Sequence, residues 1–180
     1  MEKRSEAELI TVIQKNQESG FRLLLARYKE PVYWHIRRLV VAHADAQDVA
    51  QETFIRVFRS IGQLKKDASL AAWIYRIATN EALRFISTRK ECRVNMDDAG
   101  DEFFDVMADE HVDYSDLESV WLQKAILALP PKQQVTFNLR YYDDLSYSEI
   151  AEIIGSTPDS AKANYHIAKE KIIDYLKNIG

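Results

Sequence analysis

The stretch SYSEIAEIIGSTPDSAKANYHIAKEKI, Ser146 to Ile172, spells two short helices joined by a tight turn. Ser146 followed three residues on by Glu149 is a capping-box pattern, so a helix starts there. Gly155 supplies the positive φ that ends this helix, Ser156 or Thr157 caps the next, and Pro158 sits in its first turn, where a missing N–H costs nothing. The pattern predicts a helix-turn-helix. In the second helix Ala161, Tyr165, Ala168 and Ile172 recur at i, i+4, i+7, i+11 as the buried face. Ser160, Lys162, Ala163, Asn164, His166 and Lys169 then face outward near the N-terminal end, the end that a recognition helix presents to a DNA major groove. The same hairpin also serves plain helix packing, because a motif does not fix function.

The rest of the chain decides between these readings. Its 180 residues, 47% hydrophobic and 29% charged, leave room for one or two globular domains with real cores. Only 5 Gly and 4 Pro, with apolar residues at helical spacing nearly throughout, predict an all-α protein. The N-terminus MEKRSEAELI carries no signal-peptide run and no stretch reaches the roughly 18 apolar residues of a membrane span, so a cytoplasmic protein is expected. Cys92 is the single cysteine and is read as a reduced thiol; no Cys or His partner stands at zinc spacing, and no cofactor or metal is expected.

The net charge of −4 conceals three blocks. Residues 1–94 hold 17 Lys and Arg against 11 Asp and Glu; residues 95–118 hold 10 acids and no Lys or Arg; residues 119–180 hold 7 of each. This asymmetry predicts a basic N-terminal domain, an acidic linker and a C-terminal domain carrying the helix-turn-helix. The linker reads as a solvated spacer, although Phe103, Phe104, Val106, Met107 and Tyr114 also suit partial docking.

Before the linker, helices are predicted near 5–16, 19–42, 45–61 and 70–90; after it, near 117–128, 132–142, 146–154 and 158–176. Asp45 is the expected cap of the third, which buries Ala50, Phe54, Val57, Phe58 and Ile61 and turns Asp48, Gln51, Glu52, Arg56 and Arg59 outward. Glu52 and Arg56 are spaced to pair at i, i+4. The fourth buries Ile74, Ile77, Ala78, Ala82 and Phe85. Its opposite side sets Arg76, Asn80 and Arg84 at i, i+4, i+8, with Trp73 one turn before and Arg89, Lys90 and Arg93 beyond. Such a stripe fits phosphates held beside a base stacked on the ring; it equally describes a solvated face with a half-buried tryptophan. In the C-terminal bundle Leu122, Ile126, Leu129, Val135, Phe137, Leu139 and Tyr142 are the expected apolar positions.

Three blocks, DAQDVAQETFIRVFRSI (Asp45 to Ile61), SLAAWIYRIATNEALRFISTRK (Ser69 to Lys90) and ILALPPKQQVTFNLRYYDDLSYSEIAEIIG (Ile126 to Gly155), together resemble the extracytoplasmic-function group of bacterial sigma factors over nearly the whole chain. The resemblance implies a protein with no catalytic residues that directs core RNA polymerase to promoters. It implies that Asp48, Gln51, Glu52 and Arg56 dock on the polymerase. Lys65, Lys66, Trp73, Arg76, Asn80 and Arg84 grip and hold open the minus-10 element, and Ser160, Lys162, Ala163, Asn164, His166 and Lys169 read the duplex minus-35 element. The linker threads toward the polymerase cleft, and an anti-sigma protein is an implied partner. Two departures stand out: Asn164 and Ile167 occupy positions where relatives typically show an arginine, and Arg84 replaces an acidic or small polar residue.

Two other function classes fit less of the chain. A stand-alone dimeric DNA-binding regulator uses the helix-turn-helix but leaves the first 94 residues unexplained. A hydrolase or transferase lacks a phosphate loop or nucleophile elbow, and His35, His43, His111 and His166 are scattered.

Overall fold

The fold is taken from a computed structural model that describes residues 5–65, 69–93 and 117–179. Its described residues form helices joined by short turns: α1 (Glu6–Lys15), α2 (Gln17–Val40), α3 (His43–Ser60), a short 3-10 turn (Ile61–Gln63), α4 (Leu70–Arg93), α5 (Leu117–Leu127), α6 (Pro131–Tyr141), α7 (Tyr147–Ile154) and α8 (Pro158–Lys177). The expected all-α architecture in two helical groups is what the chain adopts. Most of the linker and Lys66 lie outside the described residues.

Local chemistry sets the helix boundaries. Ser5 and Glu8 close a reciprocal capping box at α1, and the Asn16 side chain accepts from the Ser19 N–H to start α2. Gly20 lets these two helices touch, since a Cβ there would lie 2.5 Å from the Ile13 backbone. At α7 the Ser146–Glu149 box forms as the spacing predicts, and Gly155 ends the helix at φ 63°. Thr157, rather than Ser156, caps α8 by accepting from the Ser160 N–H, with Pro158 in the first turn. Asp45 does not cap α3. The helix starts earlier, from Ala42 with no side-chain cap, and places Asp45 inside its first turn, paired with Arg89.

Burial follows the periodicity at the centre of each stripe and departs from it at the margins. Phe58 is 41% exposed and meets Phe21 edge-on at 4.9 Å, because it sits at the margin of the α3 stripe that Phe54, Val57 and Ile61 define. Tyr142 is 38% exposed, where Arg38 lies over its ring at 4.1 Å. Ile77 and Phe85 of α4 are only partly covered.

The two helical groups share one apolar core. Val135 and Leu139 of α6, Leu145, Ile150, Ala151 and Ile153 around α7, and Ala161 of α8 join the cluster built on Leu24, Val32, Ile36, Val57, Leu70, Ile74 and Ala78. A second cluster of Ala125, Ile126, Leu129, Phe137, Ala168 and Ile172 ties α5, α6 and α8 to each other. Helix α6 is therefore buried on two sides, Phe137 toward its own group and Leu139 toward the other. Full burial of such side chains stabilises by about 1.5–3 kcal/mol each, so the closed arrangement rests on more than surface polar contacts.

Candidate functional site

Three exposed faces and one buried joint carry the polar chemistry. On α8, Ser160, Lys162, Ala163, His166 and Lys169 are exposed and Asn164 is half-buried, while Ala161 and Ala168 are fully covered. Tyr165 is half-buried, its ring stacked on Phe137 at 5.7 Å. That stack and the Ala161 and Ala168 contacts fix the rotation of α8, so Ser160, Lys162 and Ala163 in its first turns face solvent. Ile167 is also exposed.

On α3, Asp48, Gln51 and Arg56 are exposed and Glu52 is half-buried. Glu52 pairs with Arg56 at 3.3 Å, as the i, i+4 spacing predicts. Arg56 also reaches Glu81 of α4 at 2.8 Å. Glu81 is a site residue that sequence reasoning missed. The signal available was a carboxylate on the same line as Ala78, Ala82 and Phe85, an apolar face where an acid needs a partner.

On α4, Arg76, Asn80 and Arg84 are exposed along one side and Trp73 is half-buried. Lys65, Trp73 and Arg76 line a cleft with Ser69 and with Glu152 of α7. Arg84 pairs with Glu81 at 2.5 Å, and Arg89 is held by Asp45. The stripe is thus split: Arg76 and Asn80 stand open while Arg84 is tied to a carboxylate.

The joint between the helical groups centres on Asp143, whose side chain is 4% exposed in the turn between α6 and α7. Its side chain is met by three residues of the other group. Arg38 Nη1 lies 3.4 Å from Oδ1, the Tyr75 hydroxyl donates to Oδ1 at 3.2 Å, and His35 Nδ1 lies 3.3 Å from Oδ2. His35 Nε2 meets Thr79 Oγ1 at 2.8 Å. Burial, and then the neighbouring Asp143 charge, push the Tyr75 hydroxyl well above the usual tyrosine range. Nearby, the Ser69 hydroxyl donates to Glu149 and the Gln123 amide to the Arg38 carbonyl. Among the described residues no three His, Cys, Asp or Glu side chains converge to hold a metal ion, and no helix is long and apolar enough to cross a membrane.

Comparison with known proteins gives these faces a context. Residues 24–91 match the family profile of Sigma-70 region 2, and residues 119–172 match Sigma-70, region 4. The chain is 29% identical to the RNA polymerase sigma-H factor of Pseudomonas aeruginosa, over 93% of this chain and 91% of that protein. It is 28% identical to the ECF RNA polymerase sigma factor SigW of Bacillus subtilis, over 94% and 96% respectively. Among solved structures it is similar in fold to the sigma factor RpoE of Bartonella quintana, crystallised with the anti-sigma factor NepR. The TM-score is 0.71 at 20% identity, covering 87% of this chain and 96% of that one.

Proposed function

Because the chain belongs to the extracytoplasmic-function group of RNA polymerase sigma factors, we propose that its exposed faces divide the work of promoter-directed initiation among them. Asp48, Gln51, Glu52 and Arg56 on α3 dock on core polymerase. Lys65, Trp73, Arg76, Asn80 and Arg84, with Lys66 beside them in sequence, hold the opened minus-10 strand, the cations taking phosphates and the ring stacking on a base. The first turns of α8 enter the major groove at the minus-35 element through Ser160, Lys162, Ala163, Asn164, His166 and Lys169. Division of the chain into polymerase and minus-10 binding (1–94), acidic connection (95–118) and minus-35 reading (119–180) follows from this assignment. The protein does no chemistry of its own; the polymerase supplies the catalysis.

The observation that carries this reading is the cleft on α4, whose lining combines a half-buried tryptophan with Lys65 and Arg76. Single-stranded nucleic acid takes that combination of a stacking platform and flanking cations. Two modest DNA-binding faces on one chain reach useful affinity through effective concentration once polymerase holds both in place.

The relative from Bartonella quintana is seen with an anti-sigma factor, and by that likeness an anti-sigma protein is assigned here as a partner competing for the docking and DNA faces. Work on polymerase assigns the protein to the bacterial cytoplasm.

Run-off transcription with bacterial core polymerase tests the reading directly. Wild-type protein is expected to start transcripts on promoter-containing genomic fragments, and Asp48→Arg/Glu52→Arg to abolish them. Transcripts absent with wild type on fragments that it nevertheless binds as a dimer without polymerase would place it with the stand-alone regulators instead.

A further inference from the structure

Where α3 packs on α4, four charged side chains of alternating sign stand in a row: Glu52, Arg56, Glu81 and Arg84. Oxygen Oε1 of Glu52 lies 3.3 Å from Arg56 Nε, and Oε1 of Glu81 lies 2.8 Å from the same nitrogen. The other Glu81 oxygen lies 2.5 Å from a terminal nitrogen of Arg84. Arg56 Nε carries a single hydrogen, so two carboxylates compete for it. Three of the four are open to solvent and Glu81 is not: its side chain is 8% exposed, against 42% for Glu52, 44% for Arg56 and 59% for Arg84. Glu81 also borders two clefts at once. One is lined by Asp48, Glu52 and Phe85, the other by Arg59, Ile77 and Asn80.

We infer that Glu81 is a positioning residue that couples polymerase docking at Glu52 to the freedom of Arg84 to grip promoter phosphate. The inference rests on the division of faces proposed above. The docking face of α3 carries Asp48 and Glu52, so the partner it fits presents cations. A partner cation that takes Glu52 removes the competitor for Arg56, whose charge is then left to Glu81 alone. With its charge met by Arg56, Glu81 holds Arg84 less, and the arginine fork is released to a phosphate, which it can bind through two parallel N–H bonds. A buried carboxylate enforces this exchange because it cannot be left without a cation. Such coupling is reciprocal. Removing Arg84 leaves Glu81 to Arg56 in advance, frees Glu52, and strengthens docking.

The test is a double-mutant cycle on the full-length protein, reading affinity for bacterial core polymerase by fluorescence titration. Arg84→Ala is expected to tighten core binding about threefold, the scale of coupling between partly exposed members of one charge network. In a Glu81→Gln background the same Arg84→Ala change is expected to have no effect. Glu81→Met, which keeps the shape and removes the charge, serves if the amide variant does not fold. Raising salt from 0.05 to 0.5 M is expected to shrink the coupling toward zero, as the Debye length falls to about 4 Å and the exposed ends are screened. An unchanged or weakened affinity in Arg84→Ala, or an equal gain with and without Glu81, overturns the inference while leaving the sigma-factor reading intact. Wild-type protein that binds no core polymerase overturns that reading, and this inference with it.

Discussion

Asp143 shows what a single side chain can tie together. It is nearly inaccessible, and Arg38, Tyr75 and His35 converge on it from two helices of the other group. Tyr75 stands 68 residues away in sequence, so no local pattern could pair them. The pairing has a measurable consequence at alkaline pH. Burial, followed by an acceptor carboxylate, raises the hydroxyls of both Tyr75 and Tyr28, whose partner is Glu6 at 2.8 Å. In the unfolded chain they ionise near the ordinary value of 10, while in the fold they keep their protons. Above pH 10 the folded state therefore binds more protons than the unfolded one, and stability falls as pH rises. The expected slope is up to about 1.4 kcal/mol per pH unit for each tyrosine. Urea denaturation between pH 8 and 11 should show the decline, and Tyr75→Phe should remove one tyrosine's share of the slope. A slope identical in the two proteins would count against the assignment. Glu81 was likewise hidden from a local reading: its i, i+3 neighbour Arg84 is visible in the sequence, but Arg56 reaches it only across the helix interface.

Helix boundaries were the most legible level of this chain, because caps and breakers act over three or four residues. Ser146, Glu149, Gly155 and Pro158 occupy the positions that their chemistry predicts, and the helix-turn-helix follows from them. Asp45 was misread for an instructive reason. It is a good capping residue, but α3 starts upstream of it at His43 and Asp45 finds its partner in Arg89 instead. Phe58 was misread because periodicity gives the centre of a buried stripe better than its margin. For α8 the cap itself is open to test. Thr157→Ala removes the acceptor for the Ser160 N–H and is expected to cost about 1 kcal/mol. The loss falls on the turn that carries Ser160, Lys162 and Ala163. Binding of a minus-35 duplex by holoenzyme should therefore weaken several-fold, while binding of single-stranded minus-10 oligonucleotide should not change. Thermal melts and the two binding curves together check this. Equal loss at both DNA elements would show that the cap supports the whole fold rather than the reading end of α8.

For the whole molecule the informative feature is the closure of the second helical group on the first. The apolar core runs through both, the Asp143 joint seals it, and Glu152 stands on the wall of the cleft that contains Lys65, Trp73 and Arg76. A nucleic-acid strand entering that cleft meets a negative charge at close range, which opposes phosphate even at physiological salt. Asp143→Ala leaves Arg38 and His35 without their carboxylate and is expected to destabilise the closed form by about 3 kcal/mol or more, as loss of one buried charge partner does. The free variant should expand in small-angle scattering and bind a fluorescent single-stranded minus-10 oligonucleotide more tightly than wild type. Loss of stability with neither change would mean that the joint serves folding alone. The sequence by itself determined the helices, the caps of the helix-turn-helix, most of the outward faces and the resemblance that named the family. All of these depend on spacing within one helix, or on motifs that a linear reading can see. The shared core, the buried joint, the split of the α4 stripe between open and tethered arginines, and the acid beside the tryptophan cleft were decided only by tertiary structure. They depend on which helices meet and at what rotation, and contacts between residues tens of positions apart leave no trace in local periodicity.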